Sequence, residues 1–229
     1  MKLNKMIETL KPLKGLKIMF CIPGKSFSNH FLNCWDTLTR WLYEQGIDYG
    51  LSTGYTAIVH TARDYVLGIS NYSKEKVPFE GKIDYDYIMW IDSDIIFSRA
   101  DFENLILADQ DVVSGFYTID SIGPENNYAA SIDGKLLNQK MIDDYKNDSE
   151  CKCHRVMEVT APAMGFCLIK KKVMDKLKYP FFEPKYIQDG KFYGFEGEDS
   201  GFFRKIREVG FKTHIHTVVR VGHEKTQII

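Results

Sequence analysis

YIMWIDSDIIFS, residues Tyr87 to Ser98, runs apolar, sets two carboxylates one residue apart, and runs apolar again. A carboxylate in apolar surroundings costs several kcal/mol unless something pairs with it. Either the chain turns into solvent at Asp92 and Asp94, or the two aspartates hold a cation. A short apolar run bounded by polar residues reads as a buried strand, which puts both aspartates at its carboxyl end. In an extended segment residues two apart share a face, so Asp92 and Asp94 would converge on one hard cation while Ser93 points elsewhere.

Working outward, the segments on either side repeat one pattern. LKIMFCIPG (Leu16 to Gly24) is a second apolar run, closed by Pro23 and Gly24. Phe31, Trp35, Leu38 and Leu42 then fall at helical spacing, with Ser28 or Asn29 able to cap the start and Gly46 placed as a stop. DYGLST gives another strand, and Ile58, Ala62, Tyr65 and Ile69 mark the expected buried face of a second helix. Beyond the aspartates, SRAD (Ser98 to Asp101) has capping-box spacing, Phe102, Leu105 and Ile106 continue a helix, and DVVSGFY is the next strand. Strands alternating with helices imply an α/β domain with a central, mostly parallel sheet flanked by helices. Ligands of such sheets collect beyond the carboxyl ends of the strands, where Asp92 and Asp94 stand.

The later chain is more varied. Thr118 to Arg155 is polar and predicts loops, a hairpin and a short helix, and VMEVTAPAMGFCLIKKKVMDKL predicts two strands around Pro162 and Gly165 with a short basic helix after them. YPFFEPKYIQDGKFYGFEGED is rich in Pro, Gly and aromatics and reads as a functional loop. Its Phe181, Phe182, Tyr186, Phe192, Tyr193 and Phe195 suit either stacking on sugar faces or closing over the core. A helix from about Asp199 to Val209, stopped by Gly210, and a strand from Phe211 to Val221 ending in GHEK complete the chain.

The totals exclude several classes. Thirty basic against 31 acidic residues give a net charge of -1, so nothing favours a nucleic-acid backbone as partner. Five scattered cysteines, two of them within apolar runs, suit a reduced, cytoplasmic protein. MKLNKMIETLKPLKG lacks an uninterrupted apolar stretch and a small-residue cleavage site, and no segment approaches about 18 consecutive apolar residues. Neither an export signal nor a membrane span is expected. CIPGKS imitates the end of a P-loop, but the first glycine of that motif would fall on Met19, and no G-x-G-x-x-G follows a strand.

Other residues carry chemistry only in context. Glu198 and Asp199 begin a helix, where the dipole favours ionised carboxylates. His223 ends the last strand, as Asp94 ends an earlier one, and mixed carboxylate and imidazole ligation suits Mn²⁺ better than Mg²⁺. His214 and His216 share a strand face and read as structural. Cys151, Cys153 and His154 resemble half a zinc site without a second half.

The order of these pieces, from a first strand with a proline through IVHTARDYV, D-x-D and G-E-D before an amphipathic helix to a strand-final histidine, resembles the GT-A glycosyltransferases. The resemblance spans about Lys17 to Glu224. It implies one Rossmann-like domain, with a nucleotide-binding half over about 17–117 and an acceptor-binding half over about 118–229. The implied donor is a UDP- or GDP-type nucleotide sugar, the implied cofactor Mn²⁺ or Mg²⁺, and the implied acceptor a glycan or other hydroxyl compound. Asp94 and His223 would hold the metal, with Asp92 on the metal or the ribose and Ser93 between them. Pro23 and Arg63 would line the nucleotide pocket, and Met164 and Gly165 would lie under the transferred sugar. Gly197 and Glu198 would bind the acceptor, and Asp199 would be the base of an inverting transfer. Three rivals are a haloacid-dehalogenase-like phosphatase, a sugar nucleotidyltransferase and a non-catalytic carbohydrate-binding relative. The first normally carries D-x-D on its first strand, the second wants a glycine-rich basic loop where PGKSFSN offers Lys25, and the third would lack a ligand or base that is present here.

Overall fold

The computed structural model describes residues 13–119, 127–148, 155–189 and 192–225. Cys151, Cys153 and His154 lie outside the described residues. The first units are β1 (Lys17–Pro23), α1 (Asn29–Gln45), β2 (Asp48–Gly54), α2 (Val59–Val66), β3 (Tyr87–Ile91), β4 (Ile95–Ile96), α3 (Arg99–Leu107) and β5 (Val112–Phe116). They are followed by β6 (Asn127–Ile132), β7 (Lys135–Asn138), α4 (Gln139–Asn147), β8 (Val156–Glu158), β9 (Phe166–Lys170) and α5 (Lys171–Met174). The last are β10 (Lys185–Asp189), β11 (Phe192–Glu196), α6 (Glu198–Glu208), β12 (His214–Arg220) and β13 (Gly222–His223).

Seven strands form the main sheet in the order β2-β1-β3-β9-β5-β12-β8. β2, β1 and β3 are mutually parallel and β5 is parallel to β12, while β9 runs antiparallel between β3 and β5 and β8 antiparallel on β12. Five of the seven strands therefore point the same way, and their carboxyl ends form one rim.

Both faces of the sheet centre are covered, which is why β1, β3, β5 and β9 are buried nearly throughout instead of alternating with polar residues, unlike the edge strand β2. Ile18, Phe20, Ile22, Met89, Ile91 and Leu168 face one core with Leu38 and Leu42 of α1 and Phe102 of α3. Met19, Cys21, Ile88, Trp90, Cys167 and Ile169 face the other, against Val66 of α2 and Phe202, Phe203 and Ile206 of α6. Local signals hold the helices in place. Ser28 accepts the Phe31 N–H at 3.1 Å, Gly46 closes α1 with φ 66°, and Ser98 and Asp101 form the capping box of α3. Among the described residues no helix is long and apolar enough to cross a membrane.

Two expectations change. On α2 the buried residues are Ala62, Arg63 and Val66, whereas Ile58 and Tyr65 are exposed. An inward arginine breaks the apolar period, and it is tolerated because carboxylates from distant segments meet it. The aromatic stretch is also not a plain loop. Phe181 and Phe182 are core residues packed beside Trp90 and Phe202, and β10 and β11 form a separate hairpin.

Candidate active site

The rim collects the end of β1, the turn after β3, the amino end of α6, the residue before β9, and β13. β3 delivers Asp92, whose N–H donates to the Gly165 carbonyl at 2.9 Å. The chain then turns, with the Ile95 N–H on the Asp92 carbonyl at 3.0 Å. Because Asp92 to Ile95 is a turn and not extended strand, the two aspartates diverge, each to its own partner. Asp92 accepts from Arg63 Nη1 at 3.1 Å, and Asp94 Oδ2 lies 3.1 Å from His223 Nε2.

Arg63 is the hub. Its side chain is only 3% exposed, and its guanidinium lies 5.6 Å from the Trp90 ring centroid and 5.9 Å from that of Phe182. Its Nη2 donates to Asp199 Oδ2 at 3.4 Å. Its Nε lies 3.0 Å from Asp199 Oδ1 and 3.6 Å from Glu198 Oε1, off the hydrogen-bond line, so these two contacts are ion pairs. One cation thus faces three carboxylates from two elements. Burial works against the Arg63 charge, and Asp92, Asp199 and Glu198 outweigh it and hold the guanidinium protonated. For Asp199 burial dominates and pushes the carboxyl up to about 7, against the pull of Arg63 and with the push of Glu198 and Asp92. Its Oδ1 is shielded from solvent although the side chain as a whole keeps 38% of its surface.

Glycines let these parts approach. A Cβ on Gly165 would stand 2.7 Å from Tyr117 Oη and 3.0 Å from Asp92 Oδ2, and one on Gly24 would stand 2.3 Å from Ser93 Cβ. The loop after β1 therefore packs directly on the D-x-D turn.

Two clefts flank the hub. One, of about 280 Å³, is bounded by Pro23, Gly24, Tyr55, Arg63, Asp92, Ser93 and Asp94. The other, of about 210 Å³, lies under the β6–β7 hairpin and is bounded by Tyr117, Ser131, Leu136, Met164, Asp199 and Ser200.

His223 is held from several sides. β13 pairs with β4, the Glu224 N–H donates to the Asp94 carbonyl at 2.7 Å, and the imidazole lies 5.0 Å from the Tyr117 ring. His223 Nδ1 is 3.2 Å from the Thr118 carbonyl, which only accepts, so that nitrogen carries the proton. In the neutral ring Nε2 turns a lone pair toward the Asp94 carboxylate, so that two acceptors stand face to face unless a proton or a cation lies between them. A histidine whose second nitrogen donates to a carbonyl has the usual setting of a metal ligand. The donor set fits a hard or borderline divalent ion that takes its remaining ligands from substrate phosphates and water. Among the described residues no group of three or more His, Cys, Asp and Glu side chains is arranged to hold a metal.

Of the residues expected from sequence, the fold brings together Arg63, Asp92, Glu198 and Asp199 directly, Asp94 with His223, Pro23 and Ser93 on the first cleft and Met164 on the second, while Gly165 is packed on Asp92 and borders neither cleft. Gly197 is the N-cap of α6, and its carbonyl accepts from Gly201 at 3.0 Å. His214 hydrogen-bonds through Nδ1 to the Val112 carbonyl at 3.2 Å, a structural contact. Gly24, Tyr55, Tyr117 and Thr118 were not anticipated. Tyr117 follows the end of β5 on the same rim, a strand-end position that could have marked it.

A scan against protein-family models finds no match, and a search of curated proteins finds none at a significant level. Solved structures do match. The crystal structure of A197 from STIV is 19% identical, aligns over 93% of this chain and 96% of its own, and has a TM-score of 0.51. The catalytic domain of Drosophila beta1,4-galactosyltransferase 7, in complex with xylobiose, is 13% identical over 92% of this chain and 71% of its own, with a TM-score of 0.48. GalNAc-T7 with UDP, GalNAc and Mn²⁺ is 12% identical over 95% of this chain, with a TM-score of 0.47, and the match spans 44% of its length. At these identities the likeness to A197 speaks to the fold, an α/β domain with a mostly parallel sheet flanked by helices.

Proposed function

We propose that the chain is a glycosyltransferase that moves a sugar from a nucleoside-diphosphate sugar to a hydroxyl acceptor with inversion at the anomeric carbon. The observation that carries the reading is the meeting of Asp92, Glu198 and Asp199 on buried Arg63 between two clefts at the sheet rim. Two adjoining clefts suit a reaction between two substrates, and Asp199 borders the second cleft while it pairs with an arginine that borders the first.

In this reading the cleft beside Pro23, Gly24 and Ser93 takes the nucleotide, with Asp92 and Arg63 at the ribose and diphosphate. Met164 and Gly165 floor the transferred sugar, with Met164 bordering the second cleft and Gly165 packed against Asp92 and Tyr117. Asp94 and His223 would hold Mn²⁺ or Mg²⁺. When bound, such an ion supplies positive charge that neutralises the leaving diphosphate. Gly197 and Glu198 orient the acceptor. As the acceptor oxygen bonds to the anomeric carbon and the bond to the diphosphate breaks, Asp199 takes the hydroxyl proton. A carboxyl pushed up to about 7 suits that task, because a general base works best when its pKa lies near the working pH.

Calorimetric titration with UDP and GDP, each with Mn²⁺ and with EDTA, tests the reading. Metal-dependent binding of one nucleotide, lost in Asp94→Ala, is the expected result. Undiminished nucleotide affinity in that variant would remove the metal assignment, and failure of all nucleoside diphosphates to bind would remove the donor.

A further inference from the structure

The β10–β11 hairpin carries a face that the proposed chemistry does not use. Tyr186 lies opposite Phe195 and Gln188 opposite Tyr193. Residues directly opposite share a face, and the face alternates along a strand. The register therefore gathers Tyr186, Gln188, Tyr193 and Phe195 on one side and Lys185, Ile187 and Glu196 on the other. The charged side is latched to α6. Arg204 holds Glu196 through Nε at 3.0 Å and Nη2 at 3.1 Å, and Lys185 Nζ is 3.8 Å from the same carboxylate.

The aromatic side is turned outward. Tyr186, Tyr193 and Phe195 are 82%, 70% and 63% exposed, and the Tyr186 and Phe195 rings stand edge to face with centroids 5.4 Å apart. Single exposed aromatics are ordinary, but three on one face of a hairpin whose other face is paired to a helix through Glu196 and Arg204 are a surface suited to contact. It adjoins the candidate site through the chain itself, since Phe195 precedes Asp199 by four residues and cannot lie more than about 14 Å from it along the backbone.

We propose that this face is an outer acceptor subsite that stacks a neutral sugar ring, so that the acceptor is an oligosaccharide of two or more units; the inference rests on the glycosyltransferase reading of the cleft. The composition of the face selects this occupant. A pyranose has an apolar C–H face that fits an aromatic ring, here Tyr193 or Phe195, and a hydroxyl edge that meets a phenol, here that of Tyr186. The register keeps Lys185 and Glu196 off this side, which favours an uncharged chain over an anionic one.

The test titrates the protein, loaded with Mn²⁺ and its nucleoside diphosphate, with xylo-, cello- and malto-oligosaccharides of one to four units. At least one series is expected to bind more tightly from the monosaccharide to the disaccharide. Tyr193→Ala and Phe195→Ala should each weaken that binding about threefold to tenfold, the scale of one aromatic contact, while Tyr193→Phe keeps it. Nucleotide affinity, measured in parallel, should not change in these variants. Equal binding by wild type and both alanine variants would overturn the subsite, as would no binding of any oligosaccharide by a protein that binds nucleotide. Sedimentation showing a dimer that Phe195→Ala dissociates would overturn it in favour of a second copy of the chain. Failure to bind nucleotide at all would instead strike the underlying reading.

Discussion

Replacing Arg63 with Met removes the cation of the hub while keeping a chain of similar length between Trp90 and Phe182. Arg63 is 3% exposed and the carboxylates of Asp92, Glu198 and Asp199 retain 25%, 16% and 38% of their surface. Breaking a fully buried pair costs about 3–5 kcal/mol, because the remaining charge is stranded. Here water reaches all three stranded carboxylates in part, so the bottom of that range applies, about 3 kcal/mol. For a chain of this size each kcal/mol moves the melting midpoint by about 2–4 °C, which gives a loss of about 6–12 °C at pH 7. The assay is urea unfolding at pH 7 and pH 5 with the m-value fitted at each. The destabilisation should shrink at pH 5, where protonating one carboxylate relieves the repulsion among the three. A loss below about 1 kcal/mol at pH 7, the scale of a solvated surface pair, would refute the claim that the hub is desolvated.

Three further outcomes are expected. Gly24→Ala should destabilise by about 1–3 kcal/mol through its clash with Ser93, and adding Ser93→Gly should recover most of that loss in a double-mutant cycle of unfolding. Asp199→Asn should leave nucleotide binding intact while transfer falls about 10²-fold or more, measured as acceptor-dependent release of the nucleoside diphosphate. Asp199 also sets a pH dependence of stability. With its folded carboxyl pushed up to about 7 it binds a proton more tightly folded than unfolded, so stability falls as pH rises from about 4 toward 7 and levels off above. Unfolding midpoints across that window should show this slope in wild type and lose it in Asp199→Asn.

The features legible in sequence were those set by neighbours along the chain. The runs that became β1 and β3, the Ser28 cap and Gly46 stop of α1, and the Ser98–Asp101 capping box all follow from local spacing. What was hidden depends on partners far away. β9 reads as an apolar strand, but nothing in Phe166–Lys170 encodes that it inserts antiparallel between β3 and β5. The inward turn of Arg63 makes sense only once Asp92 and the start of α6, 29 and 136 residues distant, arrive beside it. The divergence of Asp92 and Asp94 depends on the turn closed by Ile95, which an alternating strand pattern does not reveal.

The charges of the hub tie the proposed metal to the proposed base. Asp92, Glu198 and Asp199 set three carboxylates against the single guanidinium of Arg63, and Asp94 stands nearby. An anionic diphosphate entering the first cleft meets this excess of negative charge at close range, where partial burial weakens screening. Two changes lower the excess: a divalent ion at Asp94 and His223, or a proton on Asp199. Only the first leaves Asp199 able to take a proton from an acceptor. A donor bound without the ion would thus favour the protonated, inactive base, whereas positive charge held at Asp94 and His223 would let Asp199 stay ionised. On this argument the pH at which transfer reaches half its maximum should rise when the ion is limiting and fall when it is saturating. A pH–rate profile that does not move with Mn²⁺ concentration would separate the two groups and place the base outside the field of the ion.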